Sequence, residues 1–434
     1  MNTALLAIFC FALLFFLLMV VGMPVAFSLG TAGLVGLWIG WGMDVALSYL
    51  QTTPYTQAAH YTLAAIPLFL LMGRLVYHAG LSQNLFSLAY KWVGRLPGGL
   101  AMATSVACAA FAAISGSTSA TVASLAPITV PEMERYKYDK RLALGVLAAS
   151  GTFAIMIPPS ITFIVYGLIT ETSIGRLFIA GIIPGILSAL IYLVVILIWC
   201  KVNPNLAPLA PKEAVRWRER FKAFAGIWHM VLLLFFIIGG IYSGIMTVNE
   251  SAAVGAVGAL AIAFFTRNLS FKLFRVAIKD AVGVAAMVFM VIIGAFIFGY
   301  LLTLGKIPQN LMKLVSELAI SRYIILAMIV AVYIFLGTFM DQIAIQVLTL
   351  PITFPLITNL GFDPVWFGVI IVKTTEIGLV TPPLGLNVYI LKGVTGERLE
   401  TVFSGIMPFL MADLVTLTIL IVIPQIALFL PSKM

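Results

Sequence analysis

The hydrophobic pattern consists of long apolar blocks parted by short polar stretches. A spanning helix needs about 20 apolar residues. Blocks of that scale cover 4–21, 24–41, 61–78, 100–130, 142–170 and 177–200 in the first half. In the second they cover 228–247, 252–265, 281–304, 323–354, 366–391 and 402–430. Two stretches between them, 81–96 and 307–320, are amphipathic and predict helices lying along a membrane surface, each linking one bundle to another.

Four blocks are interrupted. Ser-Gly-Ser-Thr-Ser at 115–119 divides 100–130, and 337–342 divides 323–354. Backbone groups left unpaired in hydrocarbon cost several kcal/mol each, so non-helical backbone at depth survives only where protein or a wet cavity covers it. Re-entrant helical hairpins, entering and leaving on one side, meet that condition at about 100–130 and 323–355. The pairs Pro158-Pro159 and Pro382-Pro383 break the blocks 142–170 and 366–391, because proline lacks an N–H and clashes with the preceding turn.

The interruptions recur at one spacing. Pro-Ile-Thr-Val-Pro at 127–131 returns as Pro-Ile-Thr-Phe-Pro at 351–355, Pro158 as Pro382, and Gly-Ile-Ile-Pro at 181–184 as Gly-Ile-Met-Pro at 405–408. Each return is 224 residues on (351 − 127, 382 − 158, 405 − 181). The chain reads as a duplicated unit, 1–222 and 223–434. The stretch 132–141 holds Arg135, Lys137, Lys140 and Arg141, whereas its counterpart 356–364 holds no Lys or Arg. The positive-inside rule puts the first in the cytoplasm and the second outside. The loop 201–222, with Lys201, Lys212, Arg216, Arg218, Arg220 and Lys222, and the basic loop 267–279 agree as cytoplasmic. The loop 50–60, without Lys or Arg, agrees as external, while Lys306 and Lys313 run against the pattern. Each half then has five crossings and one hairpin. Five is odd, so the second half is inverted and both termini fall on the periplasmic side. An inverted repeat whose broken helices meet near the midplane is a secondary-transporter architecture.

Composition removes other classes. With 62% hydrophobic residues, 9% charged and a mean hydropathy of +1.12, the chain is an all-α polytopic membrane protein. A soluble protein is nearer half apolar and a quarter charged. The net charge of +9 sits mostly in loops and does not imply nucleic acid. Cys10, Cys108 and Cys200 lie in apolar runs without paired spacing, implying neither disulfide nor metal site. The first block has no preceding Lys or Arg and no Ala-x-Ala after it, and is read as a retained helix. His-Glu-x-x-His, Gly-x-Ser-x-Gly and Walker A motifs are missing. Uphill work must then come from an ion gradient, one charge crossing ~100 mV supplying about 2.3 kcal/mol.

The breaks are where chemistry can sit. Half-helix N-termini favour anionic groups, and unwound carbonyls coordinate a cation such as sodium. One site would use Ser115, Gly116, Ser117, Thr118 and Ser119 with the backbone near 157–160. The other would use Gly337, Thr338 and Asp341 with Thr381, Pro382, Pro383 and Gly385. Close packing by small residues is the competing explanation. An acid at depth such as Asp341 costs about 2.5–3.5 kcal/mol and marks function, though it also fits an N-cap. Lys373 and Glu376, three apart, can meet on one helix face, as a structural ion pair or as a solute or gating element. Asn387 fits solute contact, packing or capping. Arg74 fits a snorkelling side chain, and His60, His78 and His229 fit span ends.

Six segments together resemble a known family. They are Ser-Gly-Ser-Thr-Ser-Ala-Thr at 115–121, Pro-Ile-Thr-Val-Pro-Glu-Met at 127–133, Met-Ile-Pro-Pro-Ser at 156–160, Ala-Gly-Ile-Ile-Pro-Gly at 180–185, Phe-Met-Asp at 339–341, and Glu-Ile-Gly-Leu-Val-Thr-Pro-Pro-Leu-Gly-Leu-Asn at 376–387. Over nearly the whole chain the sequence resembles the large membrane subunit of tripartite ATP-independent periplasmic (TRAP) transporters, the DctM-like family. The resemblance implies an inverted-repeat, elevator-type secondary transporter in the bacterial inner membrane, with two re-entrant hairpins and two Pro-Pro-broken helices. It implies sodium as coupling ion, with no other cofactor, held at Ser115, Gly116 and Ser117 with Pro158 and Pro159, and at Gly337, Thr338 and Asp341 with Thr381, Pro382 and Pro383. Thr118, Ser119, Ser160, Glu376, Gly385 and Asn387 are left as solute contacts.

The implied partners are a small four-helix membrane subunit and a periplasmic substrate-binding protein. The small subunit is expected as a separate chain, because the sequence opens on the large subunit's own first helix. The implied solute is an organic acid, a C4-dicarboxylate or a sugar acid such as sialic acid. One position departs: many members carry an acidic residue where Thr121 stands. Three other readings compete: a stand-alone sodium or proton symporter, an intramembrane hydrolase using Ser117 or Ser119, and a non-transporting scaffold.

Overall fold

The computed structural model describes residues 3–208, 217–266, 269–317 and 320–434. Among them every regular element is helical. The first half runs α1 (Thr3–Val20), α2 (Val25–Trp41), α3 (Met43–Ala58), α4 (Ala65–His78), α5 (Leu81–Val93) and α6 (Gly99–Ser115). It continues through α7 (Thr118–Arg135), α8 (Lys140–Ser150), α9 (Phe153–Met156), α10 (Ile161–Thr170) and α11 (Ile174–Val202). After α12 (Trp217–Phe224) come α13 (Trp228–Tyr242), α14 (Val248–Phe265), α15 (Phe271–Leu304), α16 (Ile307–Glu317) and α17 (Arg322–Gly337). The chain ends with α18 (Gln342–Asn359), α19 (Pro364–Gly378), α20 (Leu386–Thr395), α21 (Leu399–Val422) and α22 (Gln425–Leu428).

The 224-residue offset recurs helix by helix. α7 and α18, 18 residues each, start 342 − 118 = 224 apart. The pairs α1/α13, α2/α14, α5/α16, α6/α17, α10/α20 and α11/α21 start within two residues of the same offset. The one large departure is α15, a single 34-residue helix where the first half has α3 and α4.

The halves interlock. α2 packs on α15 as α14 packs on α4; α7 packs on α20 as α18 packs on α10; α8 packs on α21 as α19 packs on α11. Two sets of helices result, each drawn from both halves: α1–α4 with α13–α15, and α6–α11 with α17–α22. The amphipathic helices α5 and α16 lie on α6 and α18. Glycine permits the closest crossing: a Cβ on Gly145 would run into the backbone of Gly405, so α8 and α21 meet without side chains between them.

The structure differs from the sequence pattern in four places. The stretch 50–60 is mostly helix, the end of α3, which turns Ala46, Thr53 and Gln57 inward on one face. Of the basic stretch 267–279, residues 271–279 are the exposed first part of α15 rather than a loop, since nothing in Phe271–Leu304 stops the helix. Arg267, Lys212 and Arg216 lie outside the described residues. The first hairpin break shrinks to Gly116 and Ser117, because Ser115 stays in α6 and Thr118 already belongs to α7. By length and composition, six of the described helices can cross a bilayer, or eight if two bent pairs each count once. Breaks divide other apolar runs, and α2, with 17 residues, reaches only about 25 Å.

Candidate functional site

The first break forms because Gly116 ends α6 at φ +56°, a conformation glycine adopts without strain. Ser117, in extended backbone, restarts the helix, its Oγ accepting the Ala120 N–H at 3.3 Å. Thr121 donates to the Ser117 carbonyl at 2.9 Å and pairs with Ser115 Oγ at 3.0 Å. A Cβ on Gly116 would lie 2.8 Å from the Pro159 carbonyl oxygen, so the hairpin tip touches the first broken helix. Ser160 caps α10, donating to the Ile155 carbonyl at 2.6 Å and accepting the Phe163 N–H at 3.4 Å. Thr118 is buried and Ser119 half-buried.

The second break repeats this with other chemistry. Gly337 ends α17 against α19, and a Cβ there would lie 2.7 Å from Gly378 Cα. Asp341 stands 341 − 117 = 224 residues after Ser117 and caps α18, Oδ1 accepting Ile343 N–H at 2.8 Å and Ala344 N–H at 3.2 Å. The capping role weighed for Asp341 is thus present. Thr338 donates to the Phe335 carbonyl at 2.8 Å and Thr381 to the Ile377 carbonyl at 2.6 Å. Gly385, at φ +58°, opens α20. Both Pro158-Pro159 and Pro382-Pro383 are cis.

Several buried polar atoms near the second break and on α20 lack partners among the described residues. Asn387, 0% exposed, donates through Nδ2 to the Ala148 carbonyl at 3.1 Å, but its Oδ1 receives nothing. Gln342 Oε1 and both amide atoms of Gln346 are also unpaired. Buried polar atoms left without a partner carry a desolvation cost.

A third constellation lies apart from the tips. Lys373 and Glu376 do meet, with Nζ to Oε2 at 3.1 Å, and Lys373 also reaches Asp413 Oδ1 at 2.6 Å and Ser188 Oγ at 3.2 Å. Tyr192 donates to Asp413 Oδ2 at 2.7 Å. Thr152 Oγ1 lies 2.8 Å from Glu376 Oε1. All three charged side chains are 0% exposed, and both Glu376 oxygens are engaged within the protein. Sequence reasoning missed Asp413, Tyr192, Ser188 and Thr152. Asp413 had a signal, a lone acid inside the apolar block 402–430. The other three had none.

Elsewhere His78 approaches Asp280 at 3.5 Å. His60 lines a cavity of about 720 Å³ where the turn Tyr61–Ala64 and α14 of one helix set face the end of α10 and start of α11 in the other. A cavity of about 310 Å³ lies between α15 and α18, lined by Pro351 and Pro355. Cys108 and Cys200 are buried, and all three cysteines are free.

Comparison with known proteins agrees with this architecture. The family model of the DctM component of the tripartite ATP-independent periplasmic transporter matches residues 12–426. The chain is 39% identical to the C4-dicarboxylate TRAP transporter large permease protein DctM of Pseudomonas aeruginosa, over 90% of this chain and 93% of that one. It is 32% identical to the sialic acid TRAP transporter large permease protein SiaM of Vibrio cholerae, over 96% of each. Its fold resembles the crystal structure of the Alcanivorax borkumensis YdaH transporter, with a TM-score of 0.52 and 13% identity, over 100% of this chain and 98% of that one. On the family model and these relatives, the chain is a multi-pass membrane protein that belongs to the DctM family, the large permease components of TRAP transporters, and is not an enzyme.

Proposed function

We propose that the chain carries organic anions inward by sodium-coupled, elevator-type transport across the bacterial inner membrane. The observation that carries this reading is the pairing of each hairpin break with a broken helix: Gly116 against Pro159, and Gly337 against Gly378 just ahead of Thr381. Each pairing gathers hydroxyl and carbonyl oxygens, and the second adds the Asp341 carboxylate. That donor set suits a sodium ion. The first ion would be held by Ser115, Gly116, Ser117, Pro158 and Pro159, and the second by Gly337, Thr338, Asp341, Thr381, Pro382 and Pro383. Thr118, Ser119, Ser160, Gly385 and Asn387 stand beside these groups as solute contacts, with the free Asn387 oxygen ready to accept a donor.

The helix set α6–α11 with α17–α22 is the moving body in this reading, and α1–α4 with α13–α15 the support. The two repeats, 1–222 and 223–434, are inverted, and both hairpins are re-entrant. Relatives named for C4-dicarboxylate and sialic acid make a carboxylate-bearing solute the expected class. A small four-helix subunit and a periplasmic binding protein complete the transporter. The test is solute uptake into proteoliposomes holding this chain and the small subunit, with the binding protein outside. Uptake should need both a sodium gradient and the binding protein. Uptake needing neither contradicts the proposal; uptake needing sodium alone favours a stand-alone symporter.

A further inference from the structure

We infer that Glu376 holds a proton, and that its cluster is a proton-binding site joining the two broken helices. The cluster contains one ammonium and two carboxyl groups, Lys373, Glu376 and Asp413, none exposed. Fully ionised, it would bury an uncompensated negative charge, which is strongly unfavourable away from water. No further charge is at hand. Facing it, α11 presents Ser188 and Tyr192, the turn before α9 presents Thr152, and α21 presents Asp413. Among the described residues, Lys, Arg, Asp and Glu on the other helices packed against α19 and α21 are exposed at helix ends, and Asp341 is half-buried at the second break.

Thr152 places the proton. Its Oγ1 lies 2.6 Å from the Ala149 carbonyl oxygen and 2.8 Å from Glu376 Oε1. A hydroxyl carries one hydrogen, and a carbonyl can only accept. One hydroxyl hydrogen cannot serve both acceptors at once, and a protonated Glu376 supplies the second hydrogen that lets both short contacts be hydrogen bonds. The three Lys373 hydrogens meet Asp413 Oδ1, Glu376 Oε2 and Ser188 Oγ, and the Tyr192 hydrogen meets Asp413 Oδ2. Glu376 Oε1 is the one carboxyl oxygen of the cluster whose only donor, the Thr152 hydroxyl, is shared with a second acceptor, the Ala149 carbonyl. With the proton there, the relay runs from the Glu376 carboxyl to the Thr152 hydroxyl to the Ala149 carbonyl. Asp413 stays ionised against Lys373, and the cluster is neutral.

The position gives the proton a role. Thr152 and Glu376 are 224 residues apart, so the bond joins equivalent points of the two halves. Each lies six residues ahead of its proline pair (158 − 152, 382 − 376). Removing the proton turns the Thr152 hydroxyl to Glu376 Oε1 and gives up its bond to the Ala149 carbonyl, which changes how the two broken helices are linked. Glu376, expected from the resemblance as a solute contact, has both oxygens engaged within the protein, and the inference needs neither sodium nor solute to be bound.

Infrared titration of the purified full chain in lipid nanodiscs tests it. Wild type should show a protonated-carboxyl C=O band at neutral pH. That band should be missing in Glu376→Gln and shifted in Thr152→Val. Thermal melting gives a second readout: wild type should lose stability as pH rises, because the folded state keeps a proton that the unfolded carboxyl releases. Glu376→Gln should keep its fold and show a pH response flatter than wild type over that range. No protonated-carboxyl band in wild type, or the same band intact in Glu376→Gln, overturns the inference. Neither readout involves uptake, so a failure here is distinct from a failure of sodium-coupled transport.

Discussion

At the tip of the first hairpin stands Ser117; at the equivalent point of the second stands Asp341. Both cap the helix that follows, so backbone geometry asks the same of each. Their charges differ, and the difference extends beyond the tips. Lys373, Glu376 and Asp413 correspond, at the 224-residue offset, to Ala149, Thr152 and Ala189. The second half therefore holds all the buried charge of the helix set that carries the breaks, while the first half answers with methyl and hydroxyl groups. The two halves share their helix ends and differ in their electrostatics. A cap can be filled by any small acceptor, whereas an ion site is defined by its charge.

The largest effect should come from the charged cluster. Lys373→Ala leaves the buried Asp413 carboxylate uncompensated, with an expected loss of about 3–5 kcal/mol in thermal or denaturant unfolding. Lys373→Met combined with Asp413→Leu should recover much of that loss. Equal damage from Ala149→Ser, at the position equivalent to Lys373, would erase the contrast between the halves. Next come the tips. Gly116→Ala adds a Cβ at positive φ against Pro159, and Gly337→Ala adds one against Gly378. Each should cost about 1–3 kcal/mol in melting experiments and reduce uptake, because each pushes a hairpin off its broken helix.

Asp341→Asn sharpens the comparison most. Asparagine caps as well as aspartate, so stability should change by less than about 0.5 kcal/mol. The sodium concentration for half-maximal uptake should rise by about tenfold, equivalent to about 1.4 kcal/mol. Ser117→Ala should do the reverse, costing about 1 kcal/mol of stability through the lost cap with a smaller rise in the sodium needed.

The smallest effect belongs to Asp139 and Asp363, a pair of caps at one offset that both remained aspartate. The Arg141 guanidinium holds the Asp139 carboxyl below the usual carboxylate range. Its stabilisation is full above the ordinary carboxylate pKa and fades as pH falls through the lowered folded value. Solvent screens this partly exposed pair, so Asp139→Asn should cost under about 1 kcal/mol in an unfolding titration and flatten that acid limb.

Helix order, the repeat and the positions of both breaks were legible in the sequence because glycine, proline and small hydroxyl residues stand out in apolar blocks. The extent of α15 was not, since basic residues in its first turns look like a loop when only orientation is sought. The Lys373–Glu376 pair showed through its spacing, and Asp413 was missed although its isolation in the apolar block 402–430 marks it. Thr152, Ser188 and Tyr192 did not, because their partners come from helices distant in sequence and hydroxyl groups are common in such spans.

The proposed sodium-coupled transport depends on the halves being inverted in the membrane, so that their breaks face one another. The direct measurement is cysteine labelling from each side, in a background lacking Cys10, Cys108 and Cys200. The reporters are Arg135→Cys and Asn359→Cys, equivalent positions at the exposed ends of α7 and α18. Labelling of position 135 from the cytoplasm and of position 359 from the periplasm is the predicted result. Labelling of both from one side would contradict the inversion and remove the basis for both ion sites.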